Sequence, residues 1–532
     1  MTKEISPKEL RSWLLDDHEL ALVDVREEGV FGADGHLLFA ICLPMSRLEL
    51  DILSLIPRKS VRMALCDGGD GLARKAAVKL RAWGYSDISI LSGGVPSWAA
   101  AGNVIFRGVN VPSKAFGEFI EIESGTPNIS AAELKEAMDN GENIVVLDSR
   151  PFNEYNRMNI PTGIDCPGAE LVYRAFDLVD DEKQKIIVNC AGRTRSIIGA
   201  QSLINAGVPN QVVALRNGTM GWALEGFPLE TGSDRTFPKI SQKGMESALD
   251  YADRVAKRFG VEEITMDLLQ KWQKQKNIKS MFLLDVRNPD EYEEGHLPGS
   301  ISAPGGQLVQ ATDKWVGVLK SYLILIDDNG VRATMTASWL KQMGWPNVFV
   351  LRNALNDFEL EKGFPQLPRI VLDNKSIVSI NPQSLSNCLN QGLVTVVDVA
   401  TSLEYKASHI PGAWWAIRSR LEETLPSIPG NGGLVFTSSD GMLAAYAAAD
   451  ALSLTDRDIK LLEGGTDSWR SMSFPEKSGF ENMADINNDI QYKAYDHDDN
   501  VETHMKEYLS WETGLVEQVE RDGTAHFKYF PS

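Results

Sequence analysis

The 532-residue chain is predicted to fold as parallel α/β, in four tandem units of sheet and helix followed by a helical carboxy-terminal tail. Three observations predict this. Four apolar runs end in an aspartate, at Ala21-Leu22-Val23-Asp24, Val145-Val146-Leu147-Asp148, Phe282-Leu283-Leu284-Asp285 and Thr395-Val396-Val397-Asp398. They recur every roughly 110 to 140 residues, which is one small domain per repeat. Each repeat then carries a second apolar run, a short loop and an alanine-rich helix, and such alternation indicates a parallel sheet. Each also closes on a related element: Leu91-Ser92-Gly93-Gly94 with Trp98, Leu215-Arg216-Asn217-Gly218 with Trp222, Leu351-Arg352-Asn353 with Phe358, and Leu462-Glu463-Gly464-Gly465 with Trp469.

The elements follow in order. The first unit, residues 1–110, opens on the capping-box pattern Ser6-Pro7-Lys8-Glu9; the second, 125–232, opens on Ser130-Ala131-Ala132-Glu133. Both patterns start a short amphipathic helix. Residues 240–260 carry Met245, Ala248, Leu249, Ala252 and Val255 at helical spacing and read as a linker helix packed on a domain. The third unit covers 261–367 and the fourth 376–476. The extension 477–532 leaves the repeat and holds a helical stretch near Glu502–Arg521, whose Met505, Tyr508, Leu509, Leu515 and Val516 are apolar enough to dock on another domain.

Composition narrows the function classes. A net charge of -20 argues against nucleic acid or an anionic membrane as partner, since both need a basic surface. No segment approaches the ~20 apolar residues that span a bilayer. Residues 1–7 lack an apolar signal core, and five scattered cysteines do not form a disulfide framework. The expectation is a cytoplasmic protein. Asp496-His497-Asp498-Asp499 reads as a solvated acidic turn, so neither a metal nor a cofactor is expected.

The most informative stretch is Cys190-Ala191-Gly192-Arg193-Thr194-Arg195-Ser196, between the apolar run Ile186-Ile187-Val188 and a helical pattern. A cysteine there ends a strand and faces a helix amino terminus, where backbone N–H groups and two arginines favour a thiolate and an anion. Comparing the repeats on their Ala-x-x-Leu helix pattern, the tenth residue before the alanine is Asp67, Cys190 and Asp327 in the first three units. In the fourth it is Ser438 or Ser439. Cys66 therefore falls one residue early, in a loop with two acids and no base. Cys42, Cys166 and Cys388 read as structural, with Cys166 a resolving thiol only if it folds beside Cys190.

The Asp-x-Arg strand ends, the Glu291-Tyr292…Gly295-His296-Leu297-Pro298-Gly299 stretch, the Leu-x-Gly-Gly…Trp close and the cysteine loop resemble the rhodanese family of sulfurtransferases. The resemblance covers residues 1–476 four times over. It implies a five-stranded parallel sheet per unit and activity in the second unit only. It also implies Cys190 as nucleophile, with Ala191, Gly192, Arg193, Thr194, Arg195 and Ser196 as the substrate-binding loop. Arg193 and Arg195 would hold a sulfonate, while Asp148, Arg150 and Glu154 would buttress the loop. Cys-x4-Arg has the length of loops that handle sulfur. Related phosphatases and arsenate reductases use one residue more. The implied reaction moves sulfane sulfur from thiosulfate or a similar donor to cyanide or a thiol through a Cys190 persulfide. The alternatives are a sulfur-carrying or regulatory scaffold without turnover and, more remotely, a phosphatase or arsenate reductase. Arg332 matches Arg195, with Asp327 and Asp328 beside it opposing an anion. The tail helix is a candidate homodimer surface.

Overall fold

The computed structural model describes residues 2–275, 277–356, 358–364, 367–372 and 377–531; the expected opening of the fourth unit at residue 376 lies outside them. Each unit holds a parallel sheet whose strands run in the order first, fifth, fourth, second, third. In the second unit these strands are Asn128–Ile129, Ile144–Asp148, Ile164–Asp165, Lys185–Asn189 and Val212–Leu215. The fourth strand is central, and the chain's connections diverge on either side of it. That is the place where open α/β sheets bind ligands, beyond the strands' carboxyl ends.

The fourth sheet departs from the expected five strands. Asn482–Met483, from the extension, pairs in parallel with Trp414–Trp415 and adds a sixth. The helix starts also differ in detail. Ser130 and Glu133 form a full capping box, whereas Ser6 accepts from the Glu9 amide at 3.2 Å while the Glu9 carboxylate pairs with Lys3. The linker forms the helix Gln242–Phe259, packed on Glu170–Leu178 of the second unit and Val331–Gln342 of the third. Its Ala248, Ala252 and Val255 are buried, but Leu249 is 44% exposed, because it lies off that apolar face.

Strand register fixes the equivalence of the four loops. Asp24 pairs with Cys66, Asp148 with Asn189, Asp285 with Ile326 and Asp398 with Thr437. The next residues are Asp67, Cys190, Asp327 and Ser438, so Ser438 rather than Ser439 holds the position in the fourth unit.

The first three units share a core rather than hanging as beads, while the apolar clusters of the fourth are its own. One apolar cluster joins the first unit's Val23 and Leu65, the third's Leu284 and Leu325, and Phe116, Ile120, Ile197 and Ile198 at the second unit's loop helix. Phe116 and Ile120 lie on the helix Val111–Ser124, which leads from the first unit into the second. The tail forms two helices, Val501–Thr513 and Leu515–Asp522, both packed on Val111–Ser124. The tail helix is thus committed within its own chain. Among the described residues no helix is long and apolar enough to cross a membrane.

Candidate active site

Cys190 follows the central strand directly, and the helix Thr194–Ala206 starts four residues later. Arg193 is that helix's N-cap residue and supplies no side-chain cap, which leaves the dipole's positive end available to an anion. The loop's carbonyls are turned the other way. Cys190 O accepts from the Thr219 amide at 2.8 Å and Ala191 O from the Met220 amide at 2.9 Å. Gly218 permits this approach: at φ 54°, its missing Cβ would stand 2.3 Å from Cys190 O.

The sister loops show what such a loop can hold. Asp67 accepts from the Gly69 and Ala73 amides at 2.9 Å each, and Asp327 from Gly330 and Ala333 at 2.6 and 3.0 Å. Ser438 Oγ accepts from the Ala444 amide at 3.2 Å. In two sister units, then, a carboxylate sits in the amide nest at the position of Cys190. Burial, partly offset by Arg332, raises Asp327 to about 6.

The two loop arginines have different surroundings. Arg193 Nε and Nη2 donate to Glu118 at 2.7 Å each, Nη2 also pairs with Glu121, and Nη1 donates to Asn217 at 3.2 Å. Four of its N–H donors are therefore committed, and it clamps Val111–Ser124 onto the loop. Burial raises the Glu118 pKa, against the pull of Arg193. Arg195 donates to Glu154 at 2.8 Å and more distantly to Gln307 of the third unit at 3.4 Å. Burial opposes the ionisation of Glu154, but Arg195 outweighs it and holds the carboxyl at about 2.

Beneath the loop, Arg150 grips Asp148 through Nε at 2.8 Å and Nη2 at 2.7 Å, and Asn189 donates to Asp148 at 2.8 Å. This bidentate pair closes the turn at the end of one strand, and the Asn189 bond ties that end to the central strand; Asp24–Arg26 and Asp285–Arg287 repeat the bidentate pair. The fourth unit has Ala400 in the arginine's place. Thr194 donates its hydroxyl to Glu512 at 3.1 Å, and Ser196 donates to Arg193 O at 2.8 Å.

The roof of the site is made by residues that the sequence did not single out for chemistry. Glu512 is fully buried; its Oε1 accepts from Tyr508 at 2.9 Å and pairs with Lys114 at 3.1 Å. Burial works against the Lys114 charge, but Glu512 holds its pKa up. Gly192 allows this closeness, since a Cβ there would lie 3.2 Å from both Glu512 Oε2 and Tyr508. Tyr495 packs with Met220 and Leu509. Its hydroxyl is buried without a partner among the described residues and lies near enough to Cys190, Glu154 and Arg195 to feel their charges. One signal could have been found in sequence: Lys114, Glu118 and Glu121 sit at helical spacing beside the apolar Val111, Ala115, Phe116 and Ile120.

Cys190 itself is 2% exposed. Of the other thiols, Cys66 and Cys166 are buried, and burial pushes both well up. Cys42 and Cys388 are half-buried, and all five cysteines are free. Arg332 offers no open anion site, being fully buried among Glu170, Glu291 and Asp328.

A parallel sheet with a strand–loop–helix turn at its central strand is thus repeated four times, and the chain belongs to the rhodanese-like family: the Rhodanese-like domain model matches residues 6–101, 130–225, 265–361 and 381–472. Over its whole length the chain is similar to a thiosulfate sulfurtransferase from Pseudomonas aeruginosa, whose crystal structure matches with a TM-score of 0.94 at 45% identity, covering 99% of this chain and 100% of that one. Two curated relatives match more locally. An HTH-type transcriptional regulator of Mycobacterium tuberculosis is 32% identical over 111 residues, which are 20% of this chain and 48% of the relative. A putative sulfur carrier protein of Bacillus subtilis is 31% identical over 102 residues, 19% of this chain and 54% of the relative. The chain thus spans about half the length of the curated relatives it matches.

Proposed function

We propose that the chain is a sulfurtransferase that passes sulfane sulfur from thiosulfate, through a persulfide on Cys190, to cyanide or a thiol. The observation that carries this reading is the position of Cys190. It stands in an uncapped helix amino terminus where Asp67 and Asp327, in the sister loops, accept backbone N–H bonds through a carboxylate. A nest that holds a carboxylate in the sister units suits a thiolate and then a persulfide anion in the second.

In the first half-reaction the Cys190 thiolate attacks the outer sulfur of thiosulfate. A bond forms between the two sulfurs, the thiosulfate S–S bond breaks, and its electron pair leaves with sulfite. In the second, the acceptor's lone pair takes the outer sulfur and the Cys190 thiolate is returned. No external oxidant or reductant is consumed. Arg195 holds the sulfonate, being the loop arginine with donors to spare, since it gives one N–H to Glu154 and one to Gln307. Arg193 takes a different part from the sulfonate ligand expected of it. With its donors on Glu118, Glu121 and Asn217, it keeps the loop in shape. Asp148, braced by Arg150, holds the end of the central strand through Asn189, and Glu154 orients Arg195.

The whole-length likeness to a thiosulfate sulfurtransferase supports this reading, and the six-residue loop from Cys190 to Arg195 favours sulfur over phosphate. A sulfur carrier without turnover is the second reading, favoured by the 2% exposure of Cys190 beneath the tail. Mass spectrometry separates the two. Thiosulfate should add one sulfur atom to the Cys190 peptide and cyanide should remove it as thiocyanate. A peptide that gains the sulfur but keeps it in cyanide supports the carrier, and a peptide that gains none counts against both.

A further inference from the structure

The second and third units exchange residues at their loops. Pro167 and Pro304 hold equivalent places, two residues beyond the paired ends Asp165 and Ser302 of their third strands. Three residues on from each stand Glu170 and Gln307. Glu170 reaches across to the third unit's loop arginine, Arg332, at 2.6 Å. Gln307 reaches back to the second unit's Arg195 at 3.4 Å. The remaining partners also correspond. Arg332 meets Glu291 at 2.6 Å and Asp328 at 2.9 Å, where Arg195 meets Glu154 at 2.8 Å and the loop has Ala191. Arg332 is therefore surrounded by three carboxylates and fully buried, whereas Arg195 has one carboxylate and a neutral amide.

We propose that Gln307 of the third unit is a positioning residue of the Cys190 site: it steadies the Arg195 guanidinium without discharging it, so that Arg195 still attracts an anionic sulfur donor. The proposal rests on the reading of Cys190 as a nucleophile toward such a donor. A carboxylate carries a full charge at the distance where the amide carries none, and within a buried site one such charge decides whether a neighbouring cation attracts an anion. The cysteine-free third unit is thereby part of the active site, and the side chain at 307 sets the charge there.

The test compares Gln307→Glu with the isosteric, neutral Gln307→Met in the full chain. Alkylation of Cys190 by anionic iodoacetate and by neutral iodoacetamide is followed by mass on the Cys190 peptide, alongside KM and kcat for thiosulfate. Gln307→Glu should lower the iodoacetate-to-iodoacetamide rate ratio about tenfold or more and raise KM by a similar factor, with kcat less affected. Gln307→Met should shift the ratio by no more than about threefold. Equal ratios in the two variants, or a Cys190 that reacts with neither reagent in the wild type, would overturn the proposal. A wild type that ignores thiosulfate while the ratio still collapses in Gln307→Glu refutes the sulfurtransferase reading and leaves this inference standing. Normal thiosulfate turnover with an unchanged ratio and KM in Gln307→Glu does the reverse.

Discussion

Asp327 occupies in the third unit the place that Cys190 occupies in the second, each directly following the central strand, and its carboxylate accepts from the Gly330 and Ala333 amides at 2.6 and 3.0 Å. The same backbone trap thus receives a fixed carboxylate in one unit and a thiol in the other. The sister units have filled the anion site with their own side chain.

Cys190→Asp should reproduce that filled state. The variant is expected to fold with a stability equal to or above that of Cys190→Ala, by about 1 kcal/mol, because the carboxylate takes the loop amides. It should form no thiocyanate. Thermal denaturation of both variants checks this, and a Cys190→Asp chain less stable than Cys190→Ala would mean that the second loop does not form the sister nest.

Arg193 and Arg195 should fail in different ways. Arg193→Met leaves Glu118 buried and unpaired beside Glu121, so unfolding free energy should fall by about 3–5 kcal/mol. Arg195→Met should lower kcat/KM for thiosulfate about a hundredfold or more with a smaller loss of stability. Chemical denaturation and steady-state kinetics on the pair resolve the two roles, and identical stability losses would remove the distinction.

Asp398 marks the place where a buried strand-end aspartate lacks its arginine. Burial, with Ala400 where the second unit has Arg150, pushes it up to about 7 from an ordinary value of 3.8. Between those values the native state binds more protons than the unfolded chain, so this group's contribution to stability falls as pH rises through that window. Asp398→Asn should therefore stabilise the chain at about pH 8, by up to about 4 kcal/mol, and change little near pH 4. Melting temperatures at the two pH values check the sign.

Tyr495 carries a buried hydroxyl with no partner among the described residues. An unsatisfied hydroxyl costs about 1–3 kcal/mol, so Tyr495→Phe should leave stability unchanged or raised. If that hydroxyl is kept for the sulfonate, KM for thiosulfate should rise at the same time, by about three- to tenfold. A variant that loses stability would show that the hydroxyl has a structural partner instead.

The repeat and its sheets were legible because local signals specify them. Apolar runs closing on Asp24, Asp148, Asp285 and Asp398, and the tryptophans that end three of the units, lie within single strands and helices. The sixth strand of the fourth sheet was not, since a two-residue strand such as Asn482–Met483 has no period to read. The loop around Cys190 could be picked out as a constellation because its residues are contiguous. Its surroundings could not. Gln307, Tyr495, Tyr508 and Glu512 arrive from the third unit and the tail by packing alone, and no spacing in the chain announces such meetings. Arg193 illustrates the same limit: two arginines in one loop look alike in sequence, and only the carboxylates Glu118 and Glu121 on a preceding helix tell them apart.

The central claim is that one cysteine in four units does the chemistry. Sulfite release and thiocyanate formation from thiosulfate and cyanide, measured for wild type, Cys190→Ala and Cys66→Ala, test it most directly. Loss of both products in Cys190→Ala, with Cys66→Ala close to wild type, is the expected result. Turnover that survives Cys190→Ala, or is lost in Cys66→Ala, would contradict it.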